Sequence, residues 1–429
     1  MALAFAAVAD DDTGATDLAG MLAERGMRSI LLLDQPTPEQ FECWTTDADA
    51  VVIGTASRSI NPAEAYRRTR EAVRLLRSAE PEVLAIKYCS TFDSTEAGNI
   101  GPSIDAAMDE TGAEITVALP ALPVNGRTTY MGYHFVGRQL LSDSSMRHHP
   151  LNPMTNPNLV SHLQSQTKRR VGLVSFPEVQ EGSARVQSRL RQLAAEGVEI
   201  AILDCTSDHD LEILSGGISD LRLLTGSSAL GIRLPLSWEE KAPGRLPVGS
   251  DIGRRGFLIA AGSYSEATRR QNEWLAAIGA TVIEVDALEL ATNVDMEVPA
   301  EISRSLSADR TCLLKVSRTR EAVHEFFRAR GVTDVEAGER IAAGLARMVQ
   351  NIVSIAPPKG IVLAGGETAS TIARSLSFRA LRVGTNIEPG VPLCLTLSQP
   401  ALPVVFKSGN FGSDDFYGRA IDAIASLTR

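Results

Sequence analysis

Short apolar runs alternate with helix-patterned segments along nearly the whole chain, and this rhythm constrains the fold more than any other feature. Ala4–Ala9, Ser29–Leu33, Ala50–Ile53, Val83–Lys87 and Ile115–Ala118 read as strands rich in Val, Ile, Leu or Ala. Helical patterns lie between several of them: Thr16–Arg25 closes at Gly26, and Pro62 opens Ala63–Ser78. Val171–Phe176, Ser183–Glu196 and Glu199–Leu203 repeat the unit. Strands apolar on both faces and joined by crossover helices predict a parallel sheet.

Two stretches interrupt the rhythm. Pro120–Arg138 carries an Asn-Gly step between extended residues, the mark of a hairpin or an ordered loop. Ser142–Asn158 is dense in Ser, Pro, Asn and His, without periodicity, and reads as a long structured loop of the kind that usually serves function. A Pro- and Gly-rich segment at Pro235–Gly256 then separates a second series: Phe257–Ala261, Ser265–Ile278, Thr281–Val285, Cys312–Val316, a long helix near Val335–Ile355, Ile361–Ala364, Leu393–Leu397, Val404–Lys407 and a last helix. The expected architecture is therefore two α/β domains, 1–245 and 255–429, each with a mostly parallel sheet flanked by helices.

Composition narrows the partners. With 42 Lys and Arg against 52 Asp and Glu, the net charge of −10 argues against generic nucleic-acid binding, which needs clustered cations. The apolar stretch at the start is too short to span a membrane and has no basic residue before it, so it does not read as a signal peptide. The five cysteines are scattered, with no C-x-x-C pair, which fits reduced thiols in a cytoplasmic protein.

Chemistry gathers where strands end, the edge at which open parallel sheets bind ligands. Asp10, Asp11 and Asp12 follow the first strand, with Asp17 one turn on; helix capping accounts for one such carboxylate but not for all. Lys87-Tyr88-Cys89-Ser90-Thr91-Phe92-Asp93 follows another strand and sets a cation, hydroxyls and a carboxylate in one turn. Such a turn suits a small hydroxy acid, with Lys87 for its carboxylate and Asp or Ser for its hydroxyls. In the second half, Gly262-Ser263, Gly365-Gly366-Glu367-Thr368 and Ser408-Gly409 form three glycine loops at strand ends, suited to phosphate. No P-loop, G-x-G-x-x-G, H-E-x-x-H or G-x-S-x-G pattern occurs.

Taken in order, Ala-Asp-Asp-x-Thr-Gly-Ala at 9–15, the Lys87–Pro102 block, Gly-Gly-Glu-Thr at 365–368, Glu388-Pro389-Gly390-Val391-Pro392 and Lys407–Gly412 resemble the four-carbon acid sugar kinases. Cys89–Pro102, Pro120–Thr128 and Met146–Thr155 look most like the 3-oxo-tetronate kinases within that family. The chain departs from the family's pattern at Ala369-Ser370 and at Thr385-Asn386-Ile387.

The resemblance implies an N-terminal acid-sugar domain, a C-terminal nucleotide domain, ATP as donor with Mg²⁺, and phosphorylation of the terminal hydroxyl of a 3-oxo-tetronate. It places the family's paired aspartates on Asp10 and Asp11, and its ATP contacts on Ser263, Gly365, Gly366, Glu367, Thr368, Ser408 and Gly409. On that footing Asp11 is the expected base, and Asp10 and Asp17 are expected to bind substrate hydroxyls or support the site. Ser90, Thr91 and Asp93 are expected at substrate hydroxyls, and Lys87 and Arg127 at the carboxylate, with Arg147 a further candidate. A threonate or erythronate kinase would share these motifs, and a non-catalytic sugar-acid-binding regulator would keep the fold. A homodimer through the N-terminal domain is a family-level expectation.

Overall fold

The computed structural model describes all residues except 1–2, 150, 233–237, 239–240, 245, 247–255, 294–295, 318–319, 399 and 428–429. Much of the Pro- and Gly-rich segment at 235–256 thus lies outside the described residues. The chain divides into two compact units, Met1–Ala242 and Pro243–Arg429.

The first unit is built on eight parallel strands in the order Ser29–Leu32, Ala50–Gly54, Phe5–Ala9, Val83–Lys87, Leu223–Gly226, Thr116–Leu119, Ile200–Leu203 and Val171–Val174. Phe5–Ala9, Ala50–Gly54 and Val83–Lys87 are buried at every residue, as two-sided coverage by helices requires. The chain leaves Phe5–Ala9 toward one side of the sheet and returns on its other side as Val83–Lys87. The order therefore reverses there, and a crevice opens at the carboxyl ends of these two strands.

The first helix spans Asp12–Glu24, beginning four residues before the periodic pattern suggests, because Asp11 caps it by accepting from Gly14 N at 3.1 Å. Asn61 and Pro62 start the helix Pro62–Arg77 in the same manner.

Beside this sheet, Arg127–Tyr130, Tyr133–Val136 and Gln139–Leu140 form a small antiparallel sheet. The hairpin turn is not at the Asn-Gly step, which instead makes a short 3₁₀ turn ending at Gly126. It falls at Met131-Gly132, both with positive φ. Met is strained there, and the buried Asp204 compensates by accepting from Met131 N at 2.5 Å and Gly132 N at 2.9 Å. The stretch after residue 140 is the expected structured loop, with 3₁₀ turns at Leu141–Asp143 and Ser145–His148.

The second unit orders its strands Thr281–Asp286, Cys312–Ser317, Phe257–Ala261, Gly360–Ala364 and Pro403–Lys407 in parallel, then adds Val391–Thr396 and Ala380–Glu388 antiparallel. Its core packs Ile259, Leu313, Val362 and Val405 of the strands against Leu275, Phe416 and Tyr417. The order reverses between Phe257–Ala261 and Gly360–Ala364, so the glycine loops after both strands meet at one edge.

Candidate functional site

In the first unit the crevice gathers Asp10, Asp11, Asp17, Lys87 and Asp93, joined by a residue the motifs did not single out, Arg58. Its guanidinium reaches Asp10 through Nε at 2.8 Å and Nη2 at 2.9 Å, and Asp11 through Nη2 at 2.6 Å, and lies 3.9 Å from Asp93. Burial disfavours the Arg58 charge, but the two carboxylates outweigh it and hold the group firmly protonated. Arg58 follows the strand Ala50–Gly54, the immediate neighbour of Phe5–Ala9, which is why it can reach Asp10.

The aspartates titrate differently. Burial pushes Asp10 above the usual carboxylate range despite its ion pair with Arg58. Burial acts on Asp11 in the same sense. There Arg58, Lys87, the Thr13 hydroxyl (2.6 Å) and Gly14 N overcome it, and the group titrates below the usual range. Asp11 is also the more accessible, with 24% of its side chain exposed against 11% for Asp10. Gly14 belongs to this geometry: a Cβ there would lie 2.8 Å from Lys87 Nζ and closer still to Asp11 Oδ1. Asp17 accepts from the Ser228 hydroxyl, and burial raises it as well.

Buried donors fix both walls. Asn99 Nδ2 donates to the carbonyls of Ser57 (2.7 Å), Arg58 (3.1 Å) and Ile60 (2.8 Å). On the opposite side, His134 Nε2 pairs with Ser90 O at 2.8 Å and His162 Nε2 with Ser94 O at 2.6 Å. Thr91 donates to Asp93 at 2.5 Å. Ala56 and Phe92, one in each wall, have φ of 47° and 55°, backbone strain of the kind that collects at functional sites. The long loop packs onto the same walls: Asn152 reaches Ser59 Oγ at 3.3 Å, and Met154 Sδ accepts from Ser94 N at 3.4 Å.

Two expected residues stand apart from this hydrogen-bonded cluster. Arg127 bonds to Asn125 O, and its charge is felt by His134. Arg147 donates to Ser142 O at 3.2 Å inside its own loop. Cys89 lies among these groups, but burial and Asp93 push its thiol up to about 12, which leaves it unreactive at neutral pH.

In the second unit a cleft of about 950 Å³ is lined by Ser263, Gly365, Gly366, Glu367, Thr368 and Asn410, among others. Gly365 has φ +125°, which only glycine adopts readily, and it caps the helix Gly366–Ser375 so that its free N–H groups meet the cleft. A Cβ on Gly409 would press on Ser263 and Ser265, so close approach explains that glycine. Glu388, from the Glu-Pro-Gly-Val-Pro turn, anchors the same loop by accepting from Ser413 N at 2.8 Å and Ser413 Oγ at 2.5 Å.

Among the described residues no three His, Cys, Asp or Glu side chains gather to hold a metal ion by themselves. Mg²⁺ often takes only one or two protein carboxylates beside phosphates and water, and Glu367, exposed at the cleft, fits that role. No described helix is long and apolar enough to cross a membrane.

Comparison with known proteins agrees with this division of chemistry. Residues 5–234 match the family model of a sugar-binding N-terminal domain, and 258–417 that of a nucleotide-binding C-terminal domain. A 3-oxo-tetronate kinase of Pseudomonas fluorescens is 38% identical over 97% of this chain and 96% of its own. One from Pseudomonas savastanoi pv. phaseolicola is 37% identical with the same coverage. Among solved structures, Haemophilus influenzae protein HI1011 superposes with a TM-score of 0.77 at 32% identity, covering 98% of this chain and 100% of its own. A Salmonella typhimurium LT2 protein, provisionally described as a tRNA synthase, superposes with a TM-score of 0.80 at 32% identity, covering 97% and 98%.

Proposed function

Because this chain belongs to the four-carbon acid sugar kinase family, we propose that it phosphorylates the terminal hydroxyl of a 3-oxo-tetronate (3-dehydro-erythronate) from ATP, giving the 4-phosphate. The observation that carries the reading is a pair of strand-end sites of complementary chemistry. One is a crevice of carboxylates and buried cations, the other a cleft of glycine-loop amides. The full-length relatives named for 3-oxo-tetronate supply the substrate.

In this reading Lys87 and Arg127 bind the acid's carboxylate, with Arg147 a further candidate. Asp17, Ser90, Thr91 and Asp93 hold its hydroxyls. Asp11 accepts the proton of the attacking hydroxyl. Its low pKa suits a loose transition state, in which the nucleophile needs orientation more than a strong base. Three of the roughly four acceptor positions of Asp11 are taken by Arg58, Gly14 and Thr13, which leaves about one for that hydroxyl. Asp10 anchors Arg58.

Ser263, the Gly365–Thr368 turn and Ser408-Gly409 hold the ATP phosphates, with Glu367 as a protein ligand for Mg²⁺. When bound, that ion neutralises charge on the β- and γ-phosphates. We place the protein in the cytoplasm, and sedimentation of the purified chain checks the homodimer.

A coupled ADP-release assay across 3-oxo-tetronates, threonate and erythronate tests the activity. Faster turnover on threonate or erythronate reassigns the substrate. No ADP release with any four-carbon acid would replace the kinase by a sugar-acid-binding protein.

A further inference from the structure

A lysine next to a glycine loop invites the role of a phosphate ligand. Here Lys407 takes the opposite position. Its side chain has no exposed surface. Its Nζ lies 3.1 Å from Thr268 Oγ1, 3.1 Å from Ser408 O, 3.0 Å from Gly409 O and 3.1 Å from Phe411 O. An ammonium has three protons, so these acceptors use it fully. Gln271, also fully buried, places Nε2 at 3.0 Å from each of the carbonyls of Phe411, Gly412 and Ser413. Ser265 and Thr268 add hydroxyls to Gly409 O at 2.5 and 2.8 Å.

We infer that Lys407 and Gln271 are positioning residues of the nucleotide site: from beneath the Ser408–Ser413 loop they hold its carbonyls inward and so fix the loop with the N–H groups of Gly409 and Asn410 turned toward the cleft. The inference rests on reading that cleft as the ATP site. In a trans peptide the C=O and the following N–H point in opposite directions. Drawing in Ser408 O and Gly409 O therefore turns out the N–H groups of Gly409 and Asn410. Asn410 lines the cleft together with Ser263 and the Gly365–Thr368 turn. Successive amides directed into one concavity form an anion-binding nest, here beside a helix N-terminus. Without the buried donors, the same loop would present carbonyl oxygens to the phosphates.

Steady-state kinetics and calorimetric titration with the ATP analogue AMP-PNP, on the full chain, test this with Lys407→Met, Lys407→Arg and Gln271→Leu. The expected result is a rise of about tenfold or more in KM for ATP and in Kd for the analogue in each variant. KM for the sugar acid should stay within about twofold, since that site is built from other residues. Arg should not rescue, because the space around Nζ is closed; a direct phosphate ligand would tolerate Arg, so wild-type affinity in Lys407→Arg overturns the inference. Wild-type affinity in Lys407→Met, with an unchanged melting temperature, overturns it too. If Lys407→Met does not fold, Gln271→Leu decides, and a folded Gln271→Leu with normal KM for ATP is fatal to the idea. Failure of the wild-type chain to bind AMP-PNP removes the ATP reading itself, and is told apart because no variant is involved.

Discussion

Arg58 forks onto both oxygens of Asp10, at 2.8 and 2.9 Å, while one of the same nitrogens also holds Asp11 at 2.6 Å. One cation thus fixes the spacing of two like charges that would otherwise repel. A lysine cannot reproduce the fork. Arg58→Lys is expected to lower kcat by about 10², because misplacing a reacting group by about an ångström costs that much. KM for ATP should be unchanged, and steady-state kinetics with each substrate varied in turn reads both.

Asp11→Asn isolates proton acceptance from architecture. Asn caps a helix as well as Asp does, so the helix Asp12–Glu24 should keep its start. Turnover should fall by about 10²–10⁴ with AMP-PNP binding nearly intact. Turnover close to wild type would remove Asp11 from the role of base.

Gly14→Ala separates the site from the fold. Alanine favours a helix over glycine by about 1 kcal/mol. Its Cβ, however, would intrude between Asp11 and Lys87. The variant should therefore melt no lower than wild type yet lose about 10² in kcat/KM for the acid. A parallel loss of melting temperature would mean that the glycine serves the fold instead.

Strand-end logic was enough to find Asp10, Asp11, Lys87 and the glycine loops, because each follows a strongly apolar run. Arg58 and Asn99 escaped it for one reason: their roles depend on which strands are neighbours. Ala50–Gly54 lies beside Phe5–Ala9 although a strand and two helices separate them in the chain. Leu223–Gly226 has only two large apolar residues before Thr225 and Gly226, and Ala380–Glu388 is an antiparallel strand with polar residues, unlike the buried runs around it. The hairpin turn hid for a different reason. Met131 adopts a conformation unfavourable to it, paid for by Asp204, which lies far along the chain.

His134 makes acid stability a readout of the crevice wall. Burial pulls its pKa down to about 4 from 6.5, and its ring lies between Ser90 O and Thr129 Oγ1. Between those two pH values the unfolded chain binds a proton that the folded chain does not. Stability therefore falls as pH drops from about 6.5 to 4, by on the order of 3 kcal/mol from this group. His134→Asn should flatten that part of the melting-temperature profile. An unchanged slope would show that other groups dominate acid unfolding.

Lys407 gives the opposite end of the pH range a distinct signature. Burial pulls it down to about 8, opposed by the negative charge of Glu388. Below that pH the ammonium holds the loop carbonyls; above it the amine has lost the charge and one donor. KM for ATP should rise as pH passes 8. Bound phosphate favours the protonated form, so saturating ATP should shift the transition upward. Stability moves the other way: between about 8 and 10.5 the unfolded chain binds more protons, and this group's contribution rises with pH. Weakening nucleotide binding without a matching drop in melting temperature, absent in Lys407→Met, is the expected pair. A pH-independent KM for ATP up to pH 9.5 would mean that the loop holds its shape without the charge.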